Sequence, residues 1–398
     1  MPWLKRTTTS SVQLWQKDTE AAQKKATRRQ PKAADEEEEK ERKARQAVSL
    51  ISKGQISKAS NRMLSNGVAS LDNEQSLAAL KAKYPQRGRP MQADVTKGRA
   101  VESMMGLRNN WLELKGGVAP GTGQLRPEFL TTLAECWEEG SQAWELVNSF
   151  AMRHVNGDLP PWYFKACMTV ETVGLYKTAD QDPAQVRPVG MRNPWIKSYH
   201  KEVVAENKQE FVTFLEPQQL GMSVAGGAKL VHSVRMKLEQ NPSFICVKCD
   251  LANAFNDMSR ARMVEGLEEE DSLKHLASHA ATLYAPASGL ESRGSLWGES
   301  EEGGTQGDPE SGPYFCVGMH KYVKKADQKL AEHDGMARFG WDDGYLVGEA
   351  AEVFQALDTF AQDVLVNCGL RLQLTKTEVY CSGKDVPPET PLGLVRAG

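Results

Sequence analysis

The stretch ARFGWDDGYLVG, residues 337–348, places two adjacent aspartates, Asp342 and Asp343, between two short apolar runs. Phe339 and Trp341 lead in, and Tyr345, Leu346 and Val347 lead out, so the pattern predicts a β-hairpin. Asp-Gly is a favoured tight-turn pair, which puts the turn at Asp342, Asp343 and Gly344. Two like charges at such a turn repel each other. Either the turn is a solvated tip, or the carboxylates face something positive.

The totals bound the answer. A chain of 398 residues has room for two or three domains, and 40% apolar with 25% charged residues is the composition of an ordinary globular protein. The net charge of −3 gives no global basic signal, so any nucleic-acid surface must be local. No apolar run reaches the roughly 18 residues of a membrane helix. The N-terminus, MPWLKRTTTSSVQLWQKD, lacks the apolar core of a secretion signal. An intracellular place, nuclear or cytoplasmic and away from membranes, is expected. Seven scattered cysteines fit a reducing compartment. Cys246 and Cys249 have C-x-x-C spacing, but they fall on a strand where positions three apart point to opposite faces.

Residues 1–46 are polar, with a basic QKKATRRQPK and a mixed ADEEEEKERKARQ, and read as a charged arm, disordered or helical. Residues 47–115 carry apolar residues at helical spacing and read as a helical N-terminal region. From about Pro160 onward the pattern alternates between strands and helices.

Four segments carry chemistry-bearing residues in order. SFICVKCDLANAFNDMSR, residues 243–260, is a buried-type strand delivering Asp250 at its end, with Phe255 five residues on. GGTQGDPESGPYFCVGMHKYVKKADQKLAEH, residues 303–333, is a glycine loop bearing Gln306 and Gly307, with Asp308 and Pro309 as N-cap and first helical residue. The hairpin with Asp342 and Asp343 is third. NCGLRLQLTKTEVYCSG, residues 367–383, alternates as a strand should and carries Lys376 outward. Taken singly, each has an ordinary reading as a cap, a packed helix, a solvated turn or a solvated lysine. Taken together, Asp250 and Asp342 would meet if their strands are neighbours. Converging carboxylates call for cations, and magnesium binds through one or two carboxylates plus substrate phosphates. An unrelated metal-dependent hydrolase would need extra histidine or carboxylate ligands in a cluster, and the seven histidines show no such clustering in the sequence.

These four segments resemble the palm motifs of reverse transcriptases, especially those of non-LTR retrotransposons and group II intron relatives. An aspartate followed five residues later by an aromatic matches Asp250 and Phe255. The Gln-Gly-x-Pro loop matches Gln306, Gly307 and Pro309, and a double aspartate in a hairpin matches Asp342 and Asp343. GLRLQLTKT with Lys376 matches the following strand. Upstream, LYKTADQDPAQVRPVGMRNPWIKSYHK, residues 175–201, is similar to the fingers segment, with Lys177 and Arg187 at the positions that grip the triphosphate. GGVAPGTGQLRPEFL, residues 116–130, resembles the element at the domain's N-terminal edge.

The resemblance implies an α+β fold, a right-hand polymerase with fingers over 116–235 and a palm with an antiparallel sheet over 236–398, the thumb absent or truncated. It implies an RNA-directed DNA polymerase, a nucleotidyltransferase that adds dNTPs to a DNA primer on an RNA template with two Mg2+ ions, or Mn2+ in their place. Asp250, Asp342 and Asp343 would hold metal. Lys177 and Arg187 would neutralise the triphosphate, and Gln306 and Gly307 would contact nucleotide and template. Phe255 would exclude a ribose 2′-hydroxyl, and Lys376 would protonate pyrophosphate. The family pattern differs at Gly340, where Tyr or Phe is usual, at Glu310, where an apolar residue is usual, at Pro313, and at Gln373, where asparagine is usual. A decayed or truncated palm-like nucleic-acid-binding remnant is the alternative.

Overall fold

The structure, a computed structural model, describes residues 36–52, 56–91, 94–381, 387, 390–391 and 393–396. Residues 1–35 of the charged arm lie outside the described residues. The chain divides into two compact units, residues 1–66 and 67–398.

In the first unit two helices, Glu36–Ile51 and Ile56–Leu64, are joined by Lys43 Nζ donating to the Ser65 carbonyl at 2.6 Å and Arg62 Nε to Gln46 Oε1 at 2.5 Å. The limit expected at 46/47 therefore falls inside a helix, because the charged run continues its period into the apolar one.

Among its described residues the second unit mixes helices with three sheets, as an α+β chain should. One sheet is built on β2 (Val170–Tyr176), with β3 (Val186–Met191) antiparallel along one edge. Its other edge takes β1 (Val68–Ala69) at one end and β6 (Ser288–Ser292) in parallel at the other, and β7 (Ser295–Ser300) completes the sheet beyond β6. The segment 161–176 begins as a helix, Pro161–Cys167, because a proline suits the first helical position, and only then becomes β2.

The second sheet runs β12 (Val395–Arg396), β11 (Glu378–Cys381), β4 (Ile245–Cys249), β9 (Asp343–Gly348), β8 (Met336–Gly340), antiparallel except for β11 with β12. Alternation along the strands splits its side chains between two layers. Ile245, Val247, Ala337, Phe339 and Leu346 enter the main core with the helices Ser311–Ala331 and Ala350–Cys368. Phe244, Cys246, Met336 and Val347 face Val234 and Leu238 of the helix Gly226–Gln240. Cys246 and Cys249 are both buried in β4, and burial pushes the Cys246 thiol up to about 12, so neither is a reactive pair. A third, two-stranded sheet pairs β5 (Leu251–Ala252) with β10 (Arg371–Leu372).

One contiguous core runs from Ala100 to Cys381. Trp111, from the region expected to precede the catalytic part, is fully buried with its ring 5.1 Å from Trp144 and 5.0 Å from Trp195. The structure therefore has no boundary at 115/116, and the one expected at 235/236 lies inside the helix Gly226–Gln240. No helix among the described residues is long and apolar enough to cross a membrane.

Candidate active-site cleft

The sequence Ile245–Cys249 is a β-branched and cysteine strand that buries on both faces, and it ends where Asp250 begins. Its partner β9 pairs Cys249 with Gly344, so Asp250 and Asp342 leave the sheet at the same end of two neighbouring antiparallel strands. The hairpin between β8 and β9 closes with Gly340 opposite Asp343, leaving Trp341 and Asp342 as a two-residue turn.

This shifts the expected turn back by two residues: Asp343 and Gly344 are already strand. The glycine is required for another reason. A Cβ at Gly344 would lie 2.2 Å from the ring of Phe339, its cross-strand partner. The left-handed residue is instead Trp341, with φ 63°. Bulky side chains rarely adopt that conformation. Its indole occupies a slot in which a Cβ at Gly312 would sit 2.5 Å away and one at Gly221 2.7 Å away. Packing between two glycines thus holds the turn that presents Asp342.

A cleft of about 780 Å³ opens here, and it collects residues from segments far apart in the chain. Asp250, Asp342, Lys177, Arg187, Phe255, Gln306 and Lys376 all line it. Lys177 follows β2 and Arg187 lies on β3, so both come from one hairpin. Phe255 is half-buried and stacks on Phe315 at 4.8 Å and 27°, which makes it both a core ring and a wall of the cleft. Burial raises the Asp342 carboxyl above the ordinary range, and the charges of Asp343 and Asp250 add to this against a backbone hydrogen bond and Arg187. The Lys177 ammonium is lowered by partial burial, then by Lys83, Lys376 and Arg187, with Asp250 opposing.

Two of the expected residues lie elsewhere. Asp343 is exposed, with its carboxylate 3.8 Å from Lys248, and it does not line the cleft. The three aspartates therefore do not form one ligand cluster; strand alternation turns Asp343 to the other side. Gly307 is also outside the lining; with φ 90° it lies beside Gly190 of β3.

The Lys376 segment is not one strand. It breaks after β10 into a single 3-10 turn, Leu374–Lys376, before β11. The break is held by Thr377, whose buried hydroxyl donates to the Gln373 carbonyl at 3.1 Å and accepts from the Asp250 N–H at 3.3 Å. Gln373 N–H in turn donates to the Asp250 carbonyl at 2.8 Å. Thr377 and Gln373 thus fix the backbone of Asp250, and the turn aims Lys376 into the cleft.

The loop bearing Gln306 is fastened on both sides. Gly303 N–H donates to the Met258 carbonyl at 2.8 Å and Gly304 N–H to that of Phe255 at 2.9 Å. A Cβ at Gly303 would meet the Phe255 carbonyl at 2.2 Å, so only glycine fits. Asp308 does not cap the helix, which begins at Ser311. It is buried, accepting from Arg192 Nε and, at 2.8 Å, from His200 Nδ1. Arg192 also donates to Thr305 Oγ1 at 3.2 Å.

Glu310 is buried beside this pair. His279 Nε2 lies 2.7 Å from its carboxylate and His200 Nδ1 3.5 Å. Burial alone would lower the His200 imidazole, but Glu310 and Asp308 overcome it and raise it. His154, 3.4 Å from His200, is held well below the ordinary value by burial and by its cationic neighbours, and so stays neutral. Ligand atoms of His200, Asp308 and Glu310 lie within 4.8 Å of one another, a spacing that could hold a metal ion. With His200 protonated, Arg192 and His200 balance the two carboxylates, and charge neutrality then does not demand one.

Two positions at which the sequence departs from the motifs it resembles have close neighbours. Glu310 faces His279 and His200. At Gly340, where an aromatic is usual, Leu230 Cδ2 lies 3.2 Å from the Cβ position. Pro313 sits in the first turn of its helix, where no N–H partner is lost.

No protein-family model matches the chain, and no curated protein matches its sequence.

Proposed function

We propose that the chain carries the fingers and palm of an RNA-directed DNA polymerase of a non-LTR-type retroelement, adding dNTPs to a primer 3′ end. One observation carries the reading: a single cleft gathers seven residues that the motifs named, from Lys177 to Lys376. An accidental match of short motifs would leave those residues dispersed.

The donor set suits magnesium. Asp250 and Asp342 are two carboxylates on one cleft, the Asp250 charge helps to raise the Asp342 carboxyl, and a nucleotide's phosphates would complete the coordination. Asp250 and Asp342 would hold the ions, which would supply electrostatic stabilisation of the charge that develops on the phosphoryl oxygens. The chain's own residues would do the rest. Lys177 and Arg187 would bind the triphosphate, Arg187 as a planar fork. Lys376 would hold the proton for departing pyrophosphate. Phe255, propped by Phe315, would close the space a 2′-hydroxyl needs.

Primer extension on RNA and DNA templates with magnesium, comparing dNTPs with rNTPs, tests the reading. Extension with dNTPs that disappears in Asp250→Asn supports it. A second reading, a nucleic-acid-binding remnant, draws on Asp343, which faces Lys248 instead of joining the other two carboxylates. Template–primer binding without extension would favour the remnant, and neither binding nor extension would refute both.

A further inference from the structure

Residues 67–115 carry none of the motifs, yet they supply a cation to the cleft: Lys83. Its placement is built in steps. Asn73 caps the helix Glu74–Lys81 by accepting from the N–H groups of Gln75 and Ser76 at 2.9 and 3.1 Å. Leu80 of that helix is fully buried and packs with Ala69 and Val186, the residue before Arg187. Lys83 N–H then donates to the Leu80 carbonyl at 2.9 Å, and the next ring, Tyr84, meets Trp297 edge-on at 5.8 Å.

The motif segment reaches back to this point. Asn253 lies between Asp250 and Phe255 with φ 51°, a conformation asparagine tolerates better than most residues. Its Nδ2 donates to the Lys83 carbonyl at 2.8 Å and also to Asp257. The backbone of Lys83 is therefore tied both to the strand that carries Arg187 and to the turn that carries Asp250. Among the described residues, neither Lys83, Arg187 nor Lys376 forms an ion pair. Arg371 also lines the cleft but is directed to Asp257 at 3.5 Å. Four cations, Lys83, Lys177, Arg187 and Lys376, thus converge on a space holding two carboxylates. Cations that outnumber the acids beside them in one cleft suit a polyanion as partner.

We propose that Lys83 binds the triphosphate of the incoming nucleotide, as a fourth cation beside Lys177, Arg187 and Lys376. The inference rests on the polymerase reading above. Phosphate groups could also belong to the template–primer, so the test separates the two sources. The full chain, Lys83→Ala, Lys83→Arg and the control Lys81→Ala, at the exposed end of the same helix, are compared in steady-state primer extension. Lys83→Ala should raise the KM for dTTP about tenfold, the lower end of what a charge-assisted hydrogen bond contributes, with kcat changed less than about twofold. Inhibition by inorganic tripolyphosphate should weaken by a similar factor, and Lys83→Arg should recover most of both. Lys81→Ala should match the unmodified chain.

An unchanged KM in Lys83→Ala would overturn the inference and leave the polymerase reading standing. So would a loss confined to kcat, or one confined to template–primer affinity. If the unmodified chain neither incorporates dTTP nor binds tripolyphosphate, the polymerase reading itself falls and takes this inference with it.

Discussion

Asp308 is the residue whose replacement should most disturb the molecule. Its carboxylate is 2% exposed and meets two cations, Arg192, also 2% exposed, and His200, fully buried. Counting Glu310, the buried group holds two positive and two negative charges when His200 is protonated. Asp308→Asn leaves one uncompensated positive charge and turns an amide NH2 toward a donor. Arg192→Met leaves one uncompensated negative charge. Breaking one partner of a buried pair costs about 3–5 kcal/mol. Against a typical total of about 5–15 kcal/mol, either single change removes a large fraction of the stability.

The double variant Arg192→Met/Asp308→Leu removes one charge of each sign and leaves His200 balanced by Glu310. It should be more stable than the weaker single variant by at least about 1 kcal/mol. Urea midpoints of the unmodified chain, Arg192→Met, Asp308→Leu and the double variant check this. Single losses below about 1 kcal/mol, or a double variant as unstable as the two singles added, would refute the balanced-charge account. The pH dependence has a definite sign. A histidine whose folded value is raised contributes stability that is present below its unfolded value and lost as pH rises through the folded one. Asp308→Asn removes one of the two carboxylates that raise His200. The stability gap between the unmodified chain and this variant should therefore narrow as pH rises above the ordinary histidine value.

Three other outcomes are expected. Asp342→Asn should be at least as stable as the unmodified chain at pH 7, because a carboxyl whose folded value is raised loses stability as pH rises through that value; melting temperatures at about pH 3, where no gain should remain, and at pH 7 check it. Trp341→Gly should be about 1 kcal/mol more stable than Trp341→Ala, since both lose the packed indole but only glycine accepts φ 63° without strain; a paired thermal melt reads the difference. Thr377→Val, which leaves the Asp250 N–H without its acceptor, should cost about 1–3 kcal/mol and Thr377→Ser much less, by urea denaturation.

Much of the cleft was legible because its residues sit on regular punctuation. An aspartate at a strand end, glycines before a helix and a lysine after an alternating run leave fixed spacings in the chain. The turn at Trp341 was not legible. Asp-Gly is a true turn signal, but here glycine is selected by the Phe339 ring across the ladder, which no local window contains. Asp343 was misassigned with it, since a two-residue shift leaves it paired in β9 instead of at the tip. The 3-10 turn that aims Lys376 depends on a Thr377–Asp250 bond spanning 127 residues. Asp308 looked like a helix cap because an aspartate before a proline usually is one. Its real partners, Arg192 and His200, are 116 and 108 residues away, and buried polar groups have no period that would reveal them.

The buried charges also explain how two walls of the cleft keep their spacing. Arg192 follows β3, the strand that carries Arg187, while Asp308 follows the loop that carries Gln306. An apolar contact between them would be non-directional and would let the loop slide along the strand. A guanidinium fork is different: it reaches Asp308 and Thr305 on the loop, and the Cys167 carbonyl at 3.4 Å on a third element. Sliding would break these bonds in a place that water cannot reach to replace them. Glycine at position 190 lets the loop come close enough, since a Cβ there would lie 2.6 Å from Thr305. Stability and positioning can therefore be separated in the double variant. Its charges balance, so it should fold, but its fork is gone. If the fork sets the spacing of Arg187 and Gln306, that well-folded variant should bind nucleotide more weakly than the unmodified chain; equal affinity would make the network a matter of stability alone.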